Sequence, residues 1–170
     1  LIENGYRRIG CLYGAVSATG HQRQEGYAAA MAAHGLKPQA VAAQATIDQA
    51  RTAARNLLQQ EPRPDALLAS SGLILLGTTE ALREAQLRFP EDLALAGFDD
   101  LPWTRLVEPA ITVIAQPTDD LGRAAIHLLQ QRIAQPDQAV RRVVLRGELQ
   151  VRGSSARRSP IRTDHLLTAM

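Results

Sequence analysis

Polar side chains able to do chemistry cluster at the ends of short apolar runs. Asp99 and Asp100 follow Leu93-Ala94-Leu95-Ala96 through Gly97-Phe98, Ser70-Ser71-Gly72 follows Ala66-Leu67-Leu68-Ala69, and Gln116-Pro117-Thr118 follows Ile111-Thr112-Val113-Ile114-Ala115. Arg23 stands one turn into a helical stretch after the run Arg8 to Tyr13. If these runs are parallel strands, their ends gather on one edge, where open α/β sheets bind ligands. Hydroxyls, carboxylates and an amide on one rim suit a polyhydroxylated small molecule.

Each candidate has a plainer alternative. Asp99 and Asp100 could form a general acid–base pair, but adjacent residues on extended backbone point to opposite sides. The expectation is that one accepts ligand hydroxyls while its neighbour holds the loop; the alternative is that both only order the turn. Arg23 could make a surface salt bridge. Ser71 could cap a helix, or cap and bind together. Trp103, the single tryptophan, could fill core or interface space or stack on a sugar ring. Gln116 could satisfy strand-end backbone, or serve the ligand or a hinge.

Covalent and metal chemistry find little support. Ser17, Ser70 and Ser71 lack a Gly-x-Ser-x-Gly elbow, and His21, His34, His127 and His165 show no triad spacing. Gly97 stands without the partners of a phosphate-binding loop. With one cysteine, Cys11, neither an intramolecular disulfide nor a multi-cysteine metal site can form. Its apolar surroundings make it a buried thiol rather than a nucleophile. No metal and no cofactor is implied.

The elements that must position these residues alternate between the two periodicities. Strands are expected at 8–13, 41–45, 66–69, 93–96 and 111–115, with further strands at 143–145 and 149–151. Helices are expected from Thr19 to His34, after the cap Asp48, from Leu73 to about Ala85, and from Asp119 to Ala134 with Leu121, Ala125, Leu128, Leu129 and Ile133 inward. This alternation predicts an α/β fold, a parallel sheet flanked by helices. Residues 156–170 lose periodicity and are expected to form a flexible tail.

The formal net charge of +2 is scattered apart from a basic excess near the C-terminus, so a DNA-reading surface is not expected here. No apolar run reaches the roughly 18 residues that a membrane helix needs. A signal peptide is lacking, and the absence of an initiating Met suggests that Leu1 is an internal cut.

Several segments then resemble one family. Gly5-Tyr6-Arg7-Arg8-Ile9-Gly10 and Arg23-Gln24-Glu25-Gly26-Tyr27 resemble the G-[HY]-R-R-I and R-x-x-G-[FY] segments of LacI/GalR transcriptional regulators. Phe89 to Asp100 is similar to their P-x-D-[ILV]-x-[ILV]-x-G-[FY]-D-D, and Pro109 to Pro117 to their P-x-[IL]-T-[ST]-[IV]-x-Q-P. Gly122-Arg123-Ala124-Ala125 and Val151-Arg152-Gly153-Ser154-Ser155 resemble later segments in the same order.

The resemblance implies a periplasmic-binding-protein-like type I lobe, a three-layer α/β/α arrangement, sensing a sugar or sugar-acid effector in a cytoplasmic regulator. Residues 1–155 would form the C-terminal lobe of the effector-binding domain, with 116–138 crossing into a second, mostly absent lobe. The helix 119–134 would then lose its native sheet and be displaced or pack elsewhere. Arg23, Asp99 and Gln116 would contact effector or hinge, with Ser71 facing the cleft. Leu75, Leu76, Thr79 and the loop after Asp100 would serve a homodimer, and operator DNA would be met only by a domain outside this chain. Ser71-Gly72 stands where the family usually has Asn-Asp, and Trp103 resembles gluconate or ketogluconate regulators. Half a cleft would bind effector weakly or not at all. The rival readings are a periplasmic-type solute-binding protein for a sugar and, more remotely, a small hydrolase.

Overall fold

Five of the apolar runs become parallel strands because intervening segments carry the chain back to the same edge each time. The computed structural model describes residues 1–44 and 46–156. Its strands are β1 (Ile9–Gly14), β2 (Gln39–Ala43), β3 (Ala66–Ala69), β4 (Ala94–Phe98), β5 (Thr112–Ala115) and β6 (Glu148–Gln150). Helices α1 (Ala18–Ala33), α2 (Ile47–Leu58) and α3 (Gly72–Glu84) connect the first four, and a 3-10 turn, Pro102–Arg105, lies between β4 and β5. The helix α4 (Thr118–Ala134) separates β5 from β6.

The sheet order is β2-β1-β3-β4-β5-β6. The first five strands are parallel, but β6 runs antiparallel to β5, with Ala115 opposite Glu148. The sheet is therefore the expected parallel one flanked by helices, with a single antiparallel strand added at its edge. The reason is connectivity: α4 and the segment after it return the chain to the edge it left, so β6 must enter in reverse. The strand expected at 143–145 does not form; Val143 and Val144 are exposed in irregular backbone.

The step from β1 to β2 runs one way along the sheet and the later steps run the other, so right-handed crossovers place α1 on one face and α2 and α3 on the other. Two core clusters match those faces. The larger contains Leu12, Leu57, Leu67, Leu75, Leu95 and Val113, and the smaller Ile9, Cys11, Tyr27 and Met31. Strand alternation explains how Cys11 and Leu12 serve opposite clusters. Helices α2 and α3 pack very closely at Gly77, where a Cβ would stand 2.4 Å from the Ile47 carbonyl oxygen.

Before β1, the buried Asp65 accepts the Arg7 and Arg8 amides at 3.1 and 2.9 Å, pinning the entry of β1 beside that of β3. On the α1 face, a groove of about 960 Å³ runs between α1 and the sheet, lined by Tyr27, Leu68, Phe98, Ile114 and Leu149. Helix α4 buries none of its residues. Its apolar stripe, expected to face inward, faces outward instead, with Leu129 60% and Ile133 71% exposed. Residues 157–170, including the basic Arg157, Arg158 and Arg162 and nearly all of the expected tail, lie outside the described residues.

Candidate ligand site at the strand ends

Asp99, immediately after β4, has φ +73°. Aspartate visits this left-handed region more readily than most residues. Its amide still donates to the Ile114 carbonyl at 2.9 Å, so the residue is fixed to the ladder as its side chain turns. Asp99 Oδ2 accepts the Gly72 amide at 2.8 Å. A Cβ on Gly72 would come within 2.7 Å of Leu101 Cδ1 and 3.3 Å of that same carboxylate oxygen, so the Leu101 side chain would have to shift to admit one. The carboxylate thus sits at the start of α3, where the helix dipole favours negative charge. Asp99 Oδ1 accepts the Gln116 side-chain amide.

Arg23 reaches the same edge from α1. Its Nη1 donates to the Ser70 carbonyl at 2.5 Å, and its guanidinium carbon lies 4.2 Å from the centre of the Phe98 ring. The first turn of α1 holds this placement. Ser17 Oγ caps the Gly20 amide at 2.9 Å, and a Cβ on Gly20 would collide with the Gly14 carbonyl. Ser70 Oγ accepts the Gly14 amide at 3.2 Å, tying the ends of β1 and β3 together.

Asp100 turns to a different set of partners. It accepts Arg105 Nη2 and Arg152 Nη2 at 2.7 Å each and Thr104 Oγ1 at 3.1 Å. Burial pushes its carboxyl upward, but these hydrogen bonds from Arg105, Arg152 and Thr104 outweigh it and hold the group below the ordinary carboxylate value. Arg152 also donates to the Ile111 carbonyl at 3.0 Å, so Asp100 fastens the loop to the start of β5. Neighbouring aspartates therefore serve separate jobs, and no acid–base pair forms.

The structure brings Arg23, Asp99 and Gln116 to one edge. Ser71 is there too, as the N-cap of α3, accepting the Ile74 amide at 3.4 Å. Trp103 is not among them: it packs against the larger core cluster, in keeping with the space-filling alternative. Leu75, expected at a dimer contact, is fully buried in that same core, so it faces its own chain; Leu76 and Thr79 remain partly open. Sequence reasoning brought the segments holding Ser70, Gly72 and Phe98 to this edge but gave Gly72 and Phe98 no part in building it. Their position at strand ends was the available signal for each, whereas their contacts arise only on folding. Cys11, fully buried, has its thiol pushed up to about 12 by burial and is inert at neutral pH.

Fold and site together define a doubly wound lobe with polar side chains converging beyond the carboxyl ends of its strands. The sequence profile of the periplasmic binding protein-like domain matches residues 1–155, and the chain belongs to that family. It is 36% identical over 159 residues to the ribose operon repressor of Escherichia coli, covering 91% of this chain and 48% of that protein. Among solved structures, the transcriptional regulator CelR–cellobiose complex superposes with TM-score 0.84 at 36% identity, covering 91% of this chain and 48% of the other. A LacI family transcriptional regulator from Mycobacterium smegmatis gives TM-score 0.83 at 28% identity, over 94% and 61% of the two chains. The chain spans about half the length of the curated relatives it matches. These relatives are transcriptional regulators, and the likeness extends to their effector-binding domains.

Proposed function

We propose that this chain is the effector-sensing and dimerisation part of a cytoplasmic transcriptional regulator of the LacI kind, without enzymatic activity, and that its effector is a sugar or sugar acid. The observation that carries this reading is the convergence of Asp99, Arg23 and Gln116 at the strand ends, beside the first amide of α3. A carboxylate accepts from ligand hydroxyls, while a guanidinium and an amide donate to ring or carboxyl oxygens. One of the five Arg23 N–H donors goes to Ser70, so the fork can also address a ligand carboxylate, which favours a sugar acid such as gluconate. Ser71 would add a hydroxyl to the rim. A relative named for a ribose operon and a similar regulator solved as a cellobiose complex support a saccharide ligand.

In this reading residues 1–115 and 140–155 form one lobe, and residues 116–138 cross to a second lobe that this chain contains only in part. The exposed apolar stripe of α4 supports that assignment. Operator DNA would be met by another part of the regulator. The solute-binding alternative shares the fold, but the relatives quoted above are regulators rather than transport proteins.

The test is calorimetric titration of the chain with D-ribose, cellobiose and D-gluconate. Weak binding, in the millimolar range, is expected for one lobe of a cleft, and Asp99→Ala should abolish it. Saturable binding that survives Asp99→Ala would refute the site. Micromolar affinity in the unmodified chain would refute the division into lobes.

A further inference from the structure

An arginine guanidinium carries all its donors along its edges and none on its faces. Arg23, half-buried at the candidate site, gives one edge donor to the Ser70 carbonyl at 2.5 Å. One face lies over the Phe98 ring, 4.2 Å from its centre. Neither partner carries a charge. Arg51 and Arg152, also half-buried, pair with Glu80 and Asp100. No carboxylate pairs with Arg23 among the described residues. Strand alternation puts the ring there: in β4, Leu95 serves the larger core cluster, while Ala96 and Phe98 turn to the groove beside α1. Phe98 closes β4 opposite Ile114 and directly precedes Asp99. One backbone step thus separates the ring that seats the cation from the acid of the candidate site.

We propose that Phe98 sets the charge preference of the site, holding Arg23 as an unpaired cation for a ligand carboxylate. This rests on the effector-site reading and narrows its ligand to a sugar acid over the neutral sugar of the same skeleton. A ring can do this where a protein carboxylate cannot. A carboxylate partner would cancel the charge and take up edge donors in a fork. The ring face attracts the cation through its quadrupole and takes no donor. With Nη1 engaged by Ser70, the side formed by Nε and Nη2 keeps a parallel pair of N–H groups, the geometry a carboxylate accepts. A guanidinium already fixed in its plane loses little further freedom on binding. Asp99, at the same edge, accepts hydroxyls and repels a carboxylate, so the ligand is oriented with its acid end toward Arg23. Phe98 is thus a positioning residue, acting through Arg23.

D-Gluconate and D-glucitol share a carbon skeleton and differ at one end, a carboxylate in the first and a hydroxymethyl group in the second. Titrations at matched ionic strength, followed by amide chemical shifts, read the two affinities. The unmodified chain should prefer gluconate roughly tenfold, the gain of charge-assisted over neutral hydrogen bonds. Phe98→Leu keeps an apolar side chain and removes the ring. It should cut that preference about threefold, the worth of a partly exposed cation–π contact, and leave the glucitol affinity as it was. Phe98→Tyr keeps a ring and should keep the preference. A preference unchanged in Phe98→Leu overturns the proposal. An equal loss for both ligands also overturns it, because Phe98 would then only support the fold of the edge. Binding of glucitol as tight as gluconate by the unmodified chain overturns the proposal and leaves the effector site standing. If neither ligand binds, the effector reading itself fails, and the charge preference falls with it.

Discussion

Two adjacent aspartates show how environment divides labour between identical side chains. Asp99 lies at a helix start with its oxygens met by two amides, and Asp100 lies between two guanidinium groups. Of the Asp100 pairs, the one to Arg152 matters more, since that side chain is 16% exposed against 62% for Arg105, and exposed pairs are screened. A depressed carboxyl contributes stability above its unfolded value, near 4, and loses it as pH falls through the lower folded value. Asp100→Asn should therefore destabilise the chain at pH 7 by roughly 1–3 kcal/mol. The gap from the unmodified protein should narrow steadily below about pH 4. Urea unfolding at pH 7 and pH 3 measures both, and a gap of equal size at the two values would rule out the charge-based account.

At the scale of elements, the contrast lies between helices that bury a face and one that does not. Leu57 of α2 is fully buried and packs where Gly10 has no side chain, its Cδ2 only 2.6 Å from the place a Cβ would take. Leu57→Ala should cost about 2–5 kcal/mol through lost burial and the cavity left behind. Leu129→Ala in α4, at a residue 60% exposed, should stay within about 0.5 kcal/mol. Chemical denaturation of the two variants makes the comparison; a loss at Leu129 comparable to that at Leu57 would mean that α4 packs on the body of the chain in solution. Periodicity alone showed that α4 was helical and amphipathic. It could not show which sheet the stripe would meet, because that partner is a matter of tertiary contact.

For the whole molecule, the distribution of exposed apolar side chains is the informative feature. Leu73 at the start of α3 and Leu106 after the 3-10 turn are 48% and 83% exposed, and Leu101 between them in sequence is also open. Exposed apolar side chains on α3 and on the loop after Asp100 suit the dimerisation proposed above. Sedimentation should show a concentration-dependent dimer, with Leu73→Glu and Leu106→Glu together shifting it to monomer. A dimer unaffected by the pair would place the contact on another surface, such as α4 or the groove beside α1.

The sequence by itself determined which segments are strands and helices for most of the chain, since alternating runs and helical spacing encode local burial. It also determined that the polar candidates would meet at one edge, because parallel strands share a carboxyl end. Tertiary structure decided the rest. The reversed direction of β6 follows from where α4 leaves the sheet, and the loss of a strand at 143–145 from the want of a neighbour to pair with. Leu75 is buried because Gly97 beneath it has no side chain: a Cβ there would stand 2.8 Å from Leu75 Cδ1. Trp103 turned to the core, and Ser70, Gly72 and Phe98 joined the edge, through contacts between residues far apart in the chain. Spacing carries periodicity, but only packing in three dimensions fixes which side chain faces which.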